Sequence, residues 1–262
     1  MSDYYQQEAR SGFRTEGITY VVHALIMLNV LVFVVQLMLD VPFGDLRVID
    51  SPGGENTVTW LGFMPSAVMS GFIWMPLTYM FLHGSLMHLF GNMLMLFFFG
   101  PEVERVLGSR QFLRFYLLCG GLGVLANFVT MITPAWNPNV LVIGASGATL
   151  GVLVAFAMIE PDRKIFLFPI PIPITTRFLV MFIIAMNLMS AAGGASGTSF
   201  ATHFGGMGVA FAYMKWRPMF MRMKWRRQGA SKTATRPVEK GSDEEKMADA
   251  IDNIFDFKNR NR

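Results

Sequence analysis

Charge is scarce in this 262-residue chain: 15% of the residues are Asp, Glu, Lys or Arg, while 53% are hydrophobic. A typical soluble domain carries about 25% charged residues, so the composition excludes an ordinary water-soluble globule and indicates a polytopic membrane protein. Asp and Glu are missing altogether from the interiors of the long apolar stretches, which removes any hydrolytic chemistry that needs two carboxylates at membrane depth. No Glu stands in a His-Glu-x-x-His arrangement with His83 or His88, so a zinc hydrolase site of that kind is excluded, and no metal or other cofactor is expected. Cys119 is the one cysteine. It forbids an internal disulfide framework and reads as a small apolar packing residue. No internal repeat suggests a transporter made of duplicated halves.

What is abundant is apolar length. A bilayer core takes about 20 apolar residues per helix, and such stretches recur at residues 18–39, 76–100, 111–133, 140–159, 177–189 and 199–216, the fifth being the shortest. The expectation is an all-α, polytopic membrane protein with six transmembrane helices, occupying residues 18–216. A polar tail at residues 1–17 precedes it, and a basic juxtamembrane segment and tail at residues 217–262 follow. The first apolar stretch is too long for a signal-peptide core, so no cleaved targeting segment is expected.

Basic residues alternate from loop to loop. On a six-span count, 21 of the 22 Lys and Arg residues fall on one side and Arg47 on the other. The positive-inside rule then places both termini in the cytoplasm and the long first loop, with Asp45, Asp50 and Glu55, outside. A pI near 9.3 calls for no nucleic-acid partner, because the cations flank membrane segments. The first loop also carries Trp60, Phe63, Met64, Phe72, Ile73 and Trp74, too apolar a set for a solvated loop and suited to the membrane interface. Beyond residue 216, Phe220, Met221, Met223 and Trp225 interleave with Arg222, Lys224, Arg226 and Arg227, a pattern suited to anionic headgroups. Ser242-Asp243-Glu244-Glu245 is a capping box ahead of Met247, Ile251, Ile254 and Phe255, predicting a short amphipathic helix in the cytoplasmic tail.

Polar side chains at membrane depth are costly, so each is a candidate for a task. His88 and Asn92, four apart in the second span, share a helix face and can donate hydrogen bonds toward one point, as a developing oxyanion requires. Equally, they could hydrogen-bond between helices. His83, five residues before His88, leaves that face or precedes the helix and suits a structural role. Ser146 lies in Gly144-Ala145-Ser146-Gly147 and His203 in the last span with Gly205 and Gly206 beside it. A serine hydroxyl needs a base. Small faces at Gly144, Gly147 and Gly151 on one side, and Gly206 and Ala210 on the other, would let the two helices approach until His203 reaches Ser146. A serine at a helix start also has free backbone N–H groups, its own included. By itself Gly-Ala-Ser-Gly is also an ordinary packing face for a membrane helix.

Taken together the constellation resembles the rhomboid family of intramembrane serine proteases. The family's Gly-x-Ser-x motif falls on Gly144 to Gly147, its His-x4-His-x3-Asn pattern on His83, His88 and Asn92, and its last-span His with following small residues on His203 and Gly206. Phe99-Gly100-Pro101-Glu102-Val103-Glu104-Arg105-Val106-Leu107-Gly108-Ser109 is similar to the segment after the family's second helix. Many members have Trp-Arg in the first outer loop, where Trp74 here is followed by Met75.

The resemblance implies a six-helix rhomboid-like bundle and a catalytic dyad of Ser146 and His203 with no acidic third member. His88, Asn92 and the Ser146 N–H would hold the oxyanion, with His83, Gly144, Gly147 and Gly206 in supporting roles. It implies single-span membrane-protein substrates in the lipid bilayer, cut where a helix unwinds near the outer face, and a site that opens to that face. The small-residue linker 190–197 would be part of a moving cap and the fifth span a lateral gate. A bacterial inner membrane is the expected location; oligomeric state stays open. Two rival readings are a non-enzymatic rhomboid-like protein that binds membrane clients, for which Ser146 is dispensable, and a small transporter.

Overall fold

The computed structural model describes residues 17–40, 60–132, 138–166, 173–192 and 200–216. The N-terminal tail, most of the first outer loop, most of the small-residue linker, and the basic segment with its capping box lie outside the described residues.

The first helix, α1 (Tyr20–Asp40), is apolar along its length. Beside Val21 at its start, its buried positions are Val22, Leu25, Asn29, Phe33 and Gln36, spaced three or four apart, so one stripe packs on the bundle. Met27, Leu31, Val34 and Met38 point away from it and are exposed, an arrangement suited to lipid. A turn at residues 60–61, the short helices α2 (Pro65–Met69) and α3 (Met75–Thr78), and a 3-10 turn (Tyr79–Phe81) follow. Trp74 Nε1 donates to Trp60 O (3.1 Å) and Thr78 Oγ1 to Leu61 O (2.6 Å), which anchors this segment without the family's usual arginine. Trp60, Met69, Ile73 and Trp74 remain exposed on it, in keeping with an interfacial location.

The long helix α4 (Leu86–Leu107) starts ten residues later than the apolar stretch predicted. Ser85 is extended and its side chain accepts from the His88 N–H (3.1 Å), an N-cap that fixes the helix start. Hydropathy alone could not see this cap. The helix then runs past Gly100 and through Pro101 to Leu107, which puts Glu104 inside it. Glu104 is 2% exposed and serves the first helix: its carboxylate accepts from the Val21 and Val22 N–H groups (3.2 and 2.9 Å) and from Thr19 Oγ1 (2.5 Å). Those N–H groups are orphan donors at the positive end of α1, and the carboxylate satisfies them. Ser109 Oγ donates to the same group (2.6 Å).

Gly108 ends α4, and α5 (Ser109–Val124) continues as a 3-10 segment (Leu125–Ile132). The next helix, α6 (Ser146–Ile159), was expected from residue 140. Residues before Ser146 cannot join it because Gly144 sits at φ +114° and Val142 is paired with Phe63 in an isolated bridge. Nearly every residue of α6 is buried, from Gly147 through Phe156 in an unbroken run, so this helix stands at the centre of the bundle. A two-stranded antiparallel hairpin, β1 (Lys164–Phe166) and β2 (Pro173–Thr175), follows it; the sequence reading placed only a basic loop there. Helix α7 (Thr176–Ala192) and a final helix α8, residues 200–216, complete the described fold.

Six helices of 14 residues or more are therefore present among the described residues. Three stretches, Tyr20–Leu39, Leu86–Leu107 and Ser109–Ile132, are long and apolar enough to cross a membrane by themselves. Ser146–Ile159 and Thr176–Ala191 are shorter apolar helices.

Candidate active site

Helix α6 begins at Ser146, and α8 meets it backbone to backbone at Gly147 and Gly206. A Cβ added to Gly206 would run into the carbonyl oxygen of Gly147, and one added to Gly147 would meet Thr202 Cγ2 at 3.0 Å. Only glycine permits this approach. Asn127 fixes the rotation of α8 from the far side: its Nδ2 donates to Thr202 Oγ1 (2.8 Å), next in sequence to His203. The outcome is a distance of 2.8 Å between His203 Nε2 and Ser146 Oγ.

His203 has a second partner that the sequence reading did not name. Its Nδ1 is 2.7 Å from Asn187 Oδ1 on α7. The Asn187 amide is oriented by its own Nδ2, which donates to Ile183 O (2.8 Å) one turn earlier. With its nitrogen so engaged, the oxygen faces the imidazole, Nδ1 carries the proton, and Nε2 is left to accept from the Ser146 hydroxyl. The signal in the sequence was the same one that singled out Asn92, an amide within an apolar stretch.

His88 and Asn92 face the same cavity, of about 510 Å³, that Ser146, His203 and Asn187 line. A Cβ on Gly144 would fall 2.6 Å from His88 Nε2, so the glycine makes the space in which the imidazole lies beside the serine loop. Asn92 Nδ2 donates to His88 O (3.0 Å), and Asn92 Oδ1 accepts from Thr149 Oγ1 (3.1 Å). Buried Thr149, also unremarked in the sequence, thus keeps the Asn92 nitrogen from exchanging places with its oxygen.

His83 precedes α4, as one of the two sequence alternatives required. Gln36 of α1 clamps its backbone from both sides, donating to His83 O (2.9 Å) and accepting from the His83 N–H (3.2 Å). Its ring stands edge-on to His88 with centroids 5.1 Å apart, so it supports that imidazole from behind. Cys119 is buried against Gly151, consistent with packing. Among the described residues, no three of His, Cys, Asp and Glu gather to hold a metal ion.

Fold and site together define a helical integral membrane protein with a serine–histidine pair held between two of its central helices. The model of the Rhomboid domain matches residues 70–218, more than half of the chain, and the chain belongs to the rhomboid family. It is similar to the rhomboid protease GluP of Bacillus subtilis (strain 168), 35% identical over 159 residues that make up 59% of this chain and 29% of that protein. It is also similar to the mitochondrial rhomboid protein 1 of Saccharomyces cerevisiae (31% over 142 residues; 51% of this chain, 39% of the relative). A third relative is the human mitochondrial presenilin-associated rhomboid-like protein (32% over 131 residues; 48% and 33%). The chain spans roughly a third of the length of these curated relatives.

Proposed function

We propose that this chain is an intramembrane serine endopeptidase that cleaves membrane-protein substrates through a Ser146–His203 dyad. The observation that carries the reading is the 2.8 Å contact between His203 Nε2 and Ser146 Oγ beside a cavity that also holds two further donors, His88 and Asn92. In the acylation step His203 takes the hydroxyl proton as Ser146 Oγ attacks a peptide carbonyl. The negative charge that develops on the carbonyl oxygen is met by the Ser146 N–H, an orphan donor at the start of α6, by the Asn92 amide and by His88. His203 then protonates the leaving amine, and water admitted to the cavity releases the acyl group by the same steps in reverse.

The depth of the site follows from helix length. The C-terminal end of α6 leads into Glu160, Asp162, Arg163 and Lys164, which belong at an aqueous surface. Fourteen residues of helix rise about 21 Å, against an apolar core of about 30 Å, so Ser146 lies below the opposite surface. With the basic loops inside, both termini lie in the cytoplasm and that surface is the outer one, so the cavity opens outward; a bacterial inner membrane is the proposed location. A peptide in a regular transmembrane helix has its carbonyls hydrogen-bonded, so single-span substrates that unwind near the outer face fit this site best. The bundle at residues 18–216 is the catalytic domain in this reading. Helix α7 has 17 residues against 14 in α6, so the fifth span is not the shortest helix as its apolar stretch predicts, the helix running past that stretch to Ala192. It serves as a lateral gate and the small-residue linker after it as part of a cap, and residues 217–262 are a cytoplasmic tail.

The test is cleavage of a single-span substrate by the purified chain in liposomes. The native protein is expected to cut at one or a few sites near the outer end of the helix, and Ser146→Ala and His203→Ala are expected to be inactive. Equal activity in the three proteins would end the dyad assignment.

A further inference from the structure

Asn187 sits where a third member of a catalytic relay would sit, but on a helix that carries neither partner of the dyad. Three observations converge on it. Its Oδ1 is 2.7 Å from His203 Nδ1, its Nδ2 is held by Ile183 O at 2.8 Å, and its side chain lines the cavity that contains Ser146. An imidazole that is free to turn spends part of its time with the wrong ring nitrogen facing the nucleophile, or with the proton on that nitrogen, and in either state it cannot accept from serine. A fixed acceptor at Nδ1 removes both alternatives.

We propose that Asn187 is the positioning residue for His203. Its side-chain oxygen holds the Nδ1–H, sets the tautomer and rotation of the ring, and stabilises the imidazolium formed when Ser146 is deprotonated. The inference rests on the protease reading and adds to it a neutral amide in the place where no acidic group is available.

The placement of this residue has a consequence for control. On α7, Leu179 is buried, whereas Phe178, Met181, Phe182, Met186, Leu188 and Met189 are exposed. Val180, Ile183 and Ile184 pack on the core beside Leu179, and the Asn187–His203 hydrogen bond is one of the ties of the C-terminal half of the helix. Displacement of α7 outward, as substrate entry between helices would require, breaks this bond, and its return re-forms the bond. The base is thus best aligned with α7 docked.

The test compares the native chain, Asn187→Leu, Asn187→Asp and Ser146→Ala in liposomes. Leucine keeps the approximate shape and suits the membrane but removes the acceptor, and aspartate keeps an acceptor oxygen. Three readouts are taken: kcat and KM for a single-span substrate, the labelling rate with a fluorophosphonate, and the thermal unfolding midpoint in detergent. Asn187→Leu is expected to lower kcat and the labelling rate by about tenfold or more, the worth of one charge-assisted hydrogen bond, with KM and unfolding little changed. Asn187→Asp is expected to recover most of the loss. A leucine variant as reactive as the native chain overturns the assignment. So does an equal fall in both variants, or a change in KM alone, since either would mean that the residue serves packing or substrate entry. A native chain that neither cleaves nor labels removes the protease reading itself, and is told apart because Asn187 has then not been altered.

Discussion

Asn92 spends one amide hydrogen on the His88 carbonyl and fixes its oxygen on Thr149, which leaves the second amide hydrogen available to the cavity. A donor so held costs no reorganisation when negative charge appears in front of it. Asn92→Ala is therefore expected to lower kcat by about 100-fold or more while KM moves little, as measured on a single-span substrate in liposomes. Thr149→Val, which removes the hydroxyl but keeps the shape, is expected to produce part of that loss, because the amide can then turn over. A Thr149→Val variant with native kcat would show that Asn92 is oriented by other means. These polar residues were legible in the sequence wherever they interrupt an apolar stretch in a recognised motif, as Ser146, His203, His88 and Asn92 do. Asn187 and Thr149 interrupt such stretches equally, but nothing in the linear sequence tells which of many amides and hydroxyls faces the site. That depends on the rotation of α7 and α6 in the bundle.

At the scale of elements, two contacts decide the geometry. Glu104 joins α4 to the N-terminus of α1 through two backbone N–H groups and Thr19. Replacing it by Ala leaves buried donors without partners, with an expected cost of about 1–3 kcal/mol, read as a lower unfolding midpoint in detergent. Glu104→Gln, which retains one acceptor, is expected to lose less. An Ala variant as stable as the native chain would remove the capping role. The second contact is the α6–α8 crossing at Gly147 and Gly206. Gly206→Val forces the two backbones apart and is expected to cost about 1–3 kcal/mol. Activity should fall further than stability, because the same shift opens the 2.8 Å gap between His203 and Ser146. Helix existence was readable from apolar length, but helix starts were not. Ser85 and Gly144 set the starts of α4 and α6 through a cap and a positive φ, neither of which changes the local hydropathy. Hydropathy likewise puts the buried Glu104 in a loop, because charge ends the apolar window before the helix ends.

For the whole molecule, the legible part was the class: an apolar chain with six helical stretches, basic residues on alternate loops and two families of small-residue faces. In the proposed function its short central helix places Ser146 below a membrane surface. The asymmetry of Lys and Arg, 21 of 22 on one side, predicts that a reporter fused after Arg262 reports a cytoplasmic location and one inserted near Arg47 an external one. The reverse pattern would invert the direction from which water and substrate reach Ser146.

The central claim is that Ser146 is a nucleophile activated by His203, and covalent trapping tests it most directly. The native chain in liposomes is treated with a fluorophosphonate and the adduct is mapped by mass spectrometry, beside His203→Ala. The account predicts one adduct, on the Ser146 hydroxyl, formed in the native chain and nearly absent in the histidine variant. An adduct on a different serine, or equal labelling of Ser146 with and without His203, would contradict it.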